Sequence, residues 1–253
     1  MSEKRVSFLY KSLKKLLSWV YPKMELVGTE NLPEEPCVIV ANHAQMNGPI
    51  ACELNFPEKR YTWCAGEMMN WREVPAYAYR DFWSEKPKLL RPFYKLLSYL
   101  ITPLAVPIFR NANTIPVYHD ARAVTTFKES LHKLEEGDRL VIFPEHNVKY
   151  NHIVYEFQEK FVDLAKMFYK RTKKELSFVP MYIAPKLRKL VLGKPIVFRA
   201  LALIAEERRR ICGYLMYEIT RLACALPLHT VIPYRNIPKK DYPKNQIEEK
   251  QEL

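Results

Sequence analysis

Glycine is scarce in this sequence, and no glycine-rich segment joins a predicted strand to a helix. Only 6 of the 253 residues are glycine. Loops that hold the phosphates of a nucleotide need several glycines, because their backbone must approach the ligand closely. The scarcity therefore argues against a nucleotide-binding fingerprint. The sequence also contains no internal repeat.

Metal-binding patterns of cysteine are missing as well. The five cysteines are an odd number and have neither a CxxC pair nor the Cys/His spacing of a metal site; they are Cys37, Cys52, Cys64, Cys212 and Cys224. Several stand in apolar surroundings, so we expect reduced residues that pack in the interior of a protein from a reducing compartment. We expect no metal and no organic cofactor.

Long uncharged hydrophobic runs are also absent from the sequence. The longest mainly apolar run spans residues 96–109 and contains Pro103 and Pro107. A helix that crosses a bilayer needs roughly 18–20 residues, so we expect no transmembrane helix. Basic residues interrupt the apolar pattern near the N-terminus, which argues against a secretory signal.

Acidic residues are outnumbered by basic ones, at 28 against 40, which leaves a net charge of +12. A surplus of this size attracts polyanions over long distances. Nucleic acid, anionic lipid headgroups, coenzyme A and an acidic carrier protein all meet this criterion. The charge alone does not choose among them.

Two segments have the composition of a membrane interface. Over residues 1–23, apolar side chains recur every three or four positions, and Trp19 and Tyr21 stand near the end. This pattern predicts an amphipathic helix for a membrane surface; the alternative is a helix packed on the protein's own core. Residues 61–109 mix aromatic and basic side chains. Such a mixture occurs in base-stacking surfaces, in lipid headgroup anchors and in ordinary cores.

Predicted strands and helices alternate over residues 24–235. This order favours a single α/β domain with a mostly mixed central sheet flanked by helices, preceded by the N-terminal amphipathic helix. The remaining residues, 236–253, are polar and contain prolines. We expect them to form a disordered tail.

Polar residues follow two of the apolar strands. Asn42 and His43 come directly after a strand predicted at residues 37–41, and the sequence Pro144-Glu145-His146 follows a strand at residues 140–143. The carboxyl ends of strands are where α/β sheets usually bind ligands. These two strand ends are therefore the candidate site.

Six segments, in the right order, resemble the conserved blocks of the glycerol-phosphate/lysophosphatidate acyltransferase family. They are Val27-Gly28-Thr29-Glu30-Asn31-Leu32-Pro33, Val38-Ile39-Val40-Ala41-Asn42-His43, Ile115-Pro116-Val117, Phe143-Pro144-Glu145, Val179-Pro180-Met181-Tyr182 and Leu192-Gly193-Lys194-Pro195-Ile196. The resemblance covers most of the chain, from about residue 27 to 198. It implies the fold of that family.

The resemblance implies that His43 is the general base that takes a proton from the acceptor hydroxyl. In the family four residues separate this histidine from an aspartate, which holds the imidazole in the useful tautomer. Gly48 occupies that position here. The catalytic motif is therefore degenerate.

Three possibilities for the chemistry stay open. Another side chain orients His43, with Asp120, Glu145 and Asn47 as candidates. Alternatively, His146 shares the base chemistry. In the third possibility the site is inactive, and the protein binds a lipid or an acyl carrier without turnover.

The other blocks of the resemblance imply contacts to the acceptor. The family's phosphate-binding arginine is replaced by His119, with Arg122 and Arg110 as candidate substitutes, and Glu145 matches a glutamate that holds the glycerol phosphate. His146 replaces the glycine that follows. The candidate substrate-binding residues are Asn42, Asn47, His119, Asp120, Arg122 and Pro144.

The implied function is transfer of a fatty acyl group from a thioester to the hydroxyl of a lysophosphatidate-like lipid. The implied partners are membrane lipids, a lysophospholipid acceptor, and acyl-coenzyme A or acyl carrier protein as the donor. We expect a cytoplasmic, peripheral membrane protein. A basic nucleic-acid-binding protein is a remote alternative, because no nucleic-acid motif is present.

Overall fold

The computed structural model describes residues 3–56, 59–83 and 87–246. Its helices are α1 (Glu3–Val20), α2 (Asn47–Asn55), α3 (Val74–Ala78), α4 (Arg91–Asn111), α5 (Ala123–Glu135), α6 (Asp163–Thr172) and α7 (Ile204–Cys224). Its strands are β1 (Glu25–Val27), β2 (Cys37–Ala41), β3 (Arg60–Ala65), β4 (Thr114–Val117), β5 (Arg139–Ile142), β6 (Glu145–Lys149), β7 (Tyr155–Phe157), β8 (Ser177–Ala184), β9 (Lys189–Leu192) and β10 (Ile196–Val197).

The chain divides into two compact units. The first unit comprises Met1–Tyr21 and Tyr61–Ser130, and the second comprises Pro22–Arg60 and Leu131–Leu253. The first unit holds α1, α3, α4 and the parallel pair of strands β3 and β4. The second unit holds the larger sheet and the helix α7.

The larger sheet runs in the order β1-β9-β8-β2-β5. Strand β2 pairs in parallel with both β5 and β8, and β1 pairs in parallel with β9. Strands β9 and β10 pair antiparallel with β8. The predicted fold class, a mostly mixed α/β sheet flanked by helices behind an N-terminal helix, is confirmed.

Strand β2 is the centre of the second unit's core. All five of its residues are buried, because strands cover both of its edges. Its Val38-Ile39-Val40 run is β-branched and apolar, which suits a strand buried on both faces. Each of these side chains contributes about 1.5–3 kcal/mol by leaving water.

The parallel pairing brings two polar strand ends to one edge of the sheet. Val40 of β2 is level with Ile142 of β5, and Ala41 is level with Met181 of β8. The residues that follow β2 and β5, namely His43 and Glu145, therefore emerge side by side. This edge carries the candidate site.

The first unit packs its own small core under α4. The buried residues are Met68, Val74, Ala105 and Val106, with Tyr77 and Phe109 against them. The opposite face of α4 is apolar and exposed. By length and composition the helix and its approach, residues 88–111, could cross a membrane, which differs from the expectation based on the shorter run 96–109. A helix buried in a core can pass the same test.

The segment that follows α7 is held by hydrogen bonds. Asn245 is fully buried, donates to the carbonyls of Ala223 and Leu226, and accepts from the His229 amide. The amide of Val231 donates to the Pro243 carbonyl. Residues 236–246 thus differ from the expected disordered tail. Residues 1–2 of the predicted helix and 247–253 of the predicted tail lie outside the described residues.

Candidate functional site

A short strained loop follows β2 and carries His43. Ala44 and Gln45 both have positive φ, at 46° and 55°. Such left-handed conformations cost about 1–2 kcal/mol each for residues with a side chain, and they persist only where the surroundings hold them. The Asn47 side chain and the Asn47 amide both donate to the Ala44 carbonyl, at 3.1 Å.

The loop turns the Gln45 carbonyl back toward the His43 ring. Nδ1 of His43 lies 2.7 Å from the Gln45 carbonyl oxygen. A carbonyl only accepts hydrogen bonds, so Nδ1 carries the proton and Nε2 carries the lone pair. This is the tautomer that a general base needs if Nε2 is to take the proton from a substrate.

The surroundings of the His43 ring favour its neutral form. The ring is partly exposed and packs against Phe143 and Tyr234, with centroids 5.2 and 5.8 Å away. Burial lowers the pKa of the imidazole, although the hydrogen bond to the Gln45 carbonyl opposes this effect. A neutral histidine is ready to accept a proton at neutral pH.

The same loop requires a glycine at position 48 for steric reasons. Its amide donates to the His43 carbonyl at 3.1 Å. A Cβ atom at position 48 would lie 2.3 Å from that carbonyl oxygen and 3.0 Å from the Phe143 ring. The loop in this conformation has no room for the family's aspartate, and the carbonyl of Gln45 contacts the ring instead.

Glu145 fastens the two strand ends together. One carboxylate oxygen accepts from the His43 amide at 2.6 Å, and the other accepts from the Tyr155 amide at 2.7 Å. Burial raises the pKa of Glu145 to about 7, against these two hydrogen bonds, which favour the charged form. Glu145 thus lies beside His43 as predicted, but it contacts the His43 backbone; a contact with substrate stays a prediction.

Asn42 links the end of β2 to β8 next to the site. Its side chain accepts from the Ile183 amide at 2.7 Å and donates to the Ile183 carbonyl at 3.2 Å. The buried side chain thereby continues the pairing of β2 with β8 for one more step. This contact fixes the point from which the His43 loop departs.

The other predicted residues of this edge have separate contacts. His146 is half-buried and its Nε2 lies 3.3 Å from Glu156 across the β6–β7 hairpin. Pro144 is buried, and its carbonyl accepts from the Gln158 amide. Shared base chemistry of His146 and substrate binding by Pro144 and Asn47 stay predictions.

The residues predicted from the second block lie in the first unit. Arg122 donates to Asp120 at 2.8 Å and to Glu73 at 3.1 Å, and its guanidinium stacks 4.0 Å from the Tyr118 ring centroid. Hydrogen bonds from Arg122 hold the pKa of Asp120 below its usual value. The charge of this arginine is therefore already matched by carboxylates. His119 is exposed.

No family model matches the sequence, and no curated protein matches it at a significant level. Among solved structures, the chain is similar to the crystal structure of the 1-acyl-sn-glycerophosphate (LPA) acyltransferase PlsC from Thermotoga maritima. The two align with a TM-score of 0.51 and 17% identity over 88% of this chain and 80% of that one. The two proteins share a fold. At this identity the likeness concerns the fold alone.

Sequence reasoning missed the contribution of Gln45. Its carbonyl belongs to the backbone, so no residue type signals it, and the left-handed conformation that aims it is invisible in the sequence. Tyr234, whose ring meets the edge of His43, is separated from it by most of the chain. The missing aspartate at Gly48 was the only hint that another group orients the ring.

We predict that position 48 tolerates no side chain. Gly48→Ala should lower the free energy of unfolding by about 1–3 kcal/mol, because the added Cβ overlaps the His43 carbonyl. Gly213→Ala is the matched control: a Cβ there meets nothing within 4 Å, so this helical substitution should be neutral or stabilise by up to about 1 kcal/mol. Urea unfolding followed by circular dichroism measures both.

Gly48→Asp tests whether the loop excludes an aspartate at position 48 or whether the family's aspartate was simply lost there. We expect this variant to be destabilised at least as much as Gly48→Ala. If Gly48→Asp were as stable as the natural protein, the loop would accept the aspartate and the steric argument would be wrong.

Proposed function

We propose that this protein is an acyltransferase that works at the cytoplasmic face of a membrane and transfers a fatty acyl group from a thioester to a lipid hydroxyl. The observation that carries the proposal is the hydrogen bond from His43 Nδ1 to the Gln45 carbonyl, which leaves Nε2 as a base. The shared fold with an LPA acyltransferase supports it. Free cysteines suit a reducing compartment.

In the proposed reaction, Nε2 of His43 takes the proton from the acceptor hydroxyl as its oxygen attacks the thioester carbonyl carbon. The tetrahedral intermediate collapses, the carbon–sulfur bond breaks, and the imidazolium returns its proton to the leaving thiolate. The products are an ester and a free thiol. The lowered pKa of His43 keeps the ring neutral and ready for the first step.

The backbone carbonyl replaces one of the two effects of an aspartate. An aspartate sets the tautomer of the histidine and also stabilises the positive charge that forms on its ring. The Gln45 carbonyl sets the tautomer, but its partial charge stabilises the imidazolium less than a full carboxylate does. We therefore expect an active enzyme that is slower than one with an aspartate.

The acceptor in this proposal need not carry a phosphate monoester. Arg122, a candidate anchor for such a phosphate, already contacts Asp120 and Glu73. A phosphate group at Arg122 would compete with these carboxylates for the guanidinium. The acceptors to test therefore include lysophosphatidate, lysophospholipids with larger headgroups, and neutral monoacylglycerol.

The exposed face of α4 supports a location at a lipid surface. Its side chains recur at steps of three and four and are 48–61% exposed: Phe93, Leu96, Leu100 and Leu104. Arg91 and Lys95 are exposed on the same helix, and α1, which contacts α4, exposes Trp19. An apolar stripe beside basic residues suits a bilayer with anionic headgroups.

The proposed reaction is tested by transfer from acyl-coenzyme A and acyl carrier protein to the panel of acceptors. We predict turnover that falls by at least about a thousandfold in His43→Ala, since the base is lost. His132→Ala is the control, because that histidine of α5 is exposed and pairs with Glu136, just after the helix; the variant's turnover should be unchanged. No turnover with any pair, alongside intact vesicle binding, would favour a binding-only protein.

Membrane binding is tested separately by sedimentation with vesicles that contain phosphatidylglycerol. We predict that Leu96→Glu weakens binding about tenfold or more, because it removes an apolar contact and adds a negative charge. Leu201→Glu changes the net charge equally at a residue that is 98% exposed outside α4, and it should bind like the natural protein. Equal loss of vesicle binding in both variants would show that the change in net charge, and not the apolar face of α4, causes the weaker binding.

A further inference from the structure

The side chain of Gln45 ties the His43 loop to the segment that follows α7. Its Nε2 donates to the Tyr242 hydroxyl at 3.0 Å and approaches the Arg235 carbonyl at 3.4 Å. The Tyr242 hydroxyl also lies 3.4 Å from the Gln45 Oε1. The residue whose carbonyl contacts the His43 ring is thus held from the other end by a segment almost two hundred positions away in the chain.

The same segment contacts the His43 ring directly. Tyr234 meets the ring edge-on at 5.8 Å, and Tyr234 packs in turn against Tyr155 at 5.6 Å. Tyr155 donates its amide to Glu145, which also accepts from the His43 amide. Residues 234–242 therefore contact the ring through Tyr234 and its hydrogen-bond partner Gln45 through Tyr242, and they reach the His43 backbone only indirectly, through Tyr155 and Glu145.

This arrangement explains how a strained loop persists. Gln45 has a left-handed backbone conformation that a residue with a side chain rarely adopts. Its backbone keeps the carbonyl aimed at Nδ1 only while that conformation is maintained. The hydrogen bond from the Gln45 side chain to Tyr242 links the loop to a segment that is itself anchored by the buried Asn245.

We propose that Tyr242 is a positioning residue, which acts through Gln45 to hold the His43 ring in the orientation and tautomer of a general base. It takes over, from the C-terminal part of the chain, the orienting task that the aspartate performs in the resembled family. Tyr242 touches neither the ring nor the reacting atoms in this role. The effect on turnover rests on the proposed acyltransferase function, whereas the effect on the ring does not.

The test compares Tyr242→Phe, Gln45→Ala and the double variant with the natural protein by ¹⁵N NMR of the histidine rings. The natural protein should show His43 with the proton on Nδ1. Both single variants should shift the His43 ¹⁵N signals toward a mixture of tautomers. Because both changes break the same hydrogen bond between Gln45 and Tyr242, the double variant should shift the His43 signals no further than the stronger single variant does.

Turnover gives the second measurement. In Tyr242→Phe, kcat should fall by up to about a hundredfold from a misplaced base, with KM for donor and acceptor unchanged. Tyr214→Phe is the matched control: it removes a tyrosine hydroxyl that donates to the Lys194 carbonyl, and it should leave both the His43 signals and kcat unchanged.

Unchanged His43 signals in Tyr242→Phe would overturn the proposal, whatever Gln45→Ala shows. The phenylalanine keeps the ring and its packing, and urea unfolding checks that each variant is folded. If the natural protein transfers no acyl group at all, the proposed function fails while the NMR comparison still decides whether Tyr242 positions the ring.

Discussion

The candidate site depends on a hydrogen bond from a histidine ring to a backbone carbonyl two residues away. The 2.7 Å contact between His43 Nδ1 and the Gln45 carbonyl sets the proton on one nitrogen and leaves the other as a base. To make it, the chain accepts two residues with positive φ and keeps glycine at position 48, where a Cβ would meet the His43 carbonyl. The strained loop conformation, the glycine at position 48 and the tautomer of His43 thus depend on one another.

The sheet supplies the fixed frame for that arrangement. The pairing of β2 with β5 and β8 places His43 beside Glu145, Asn42 binds the Ile183 backbone of β8, and Glu145 binds the His43 amide. Both buried side chains hydrogen-bond to main-chain groups. They hold the site in place, whereas the lone pair for chemistry belongs to His43.

Parts of this organisation follow from the sequence and parts do not. Strand β2 was predicted at residues 37–41, its observed bounds, because a buried β-branched run has few alternatives. Strand β3 was missed, since five of its six residues lie in segment 61–109, which was interpreted from its mixture of aromatic and basic side chains. The Gln45 carbonyl was invisible because main-chain groups carry no sequence signal, and Tyr242 lay in a segment expected to be disordered.

The most direct test of the account is a pH titration of His43 by ¹⁵N NMR in the natural protein, with His43→Ala to assign the signals. Because burial lowers the pKa of the ring, the neutral form should persist as pH falls below 6.5, with the proton on Nδ1 throughout. A neutral ring protonated on Nε2 would contradict the claim that the Gln45 carbonyl prepares His43 as a base, and a midpoint at or above 6.5 would contradict the claim that burial keeps the ring neutral.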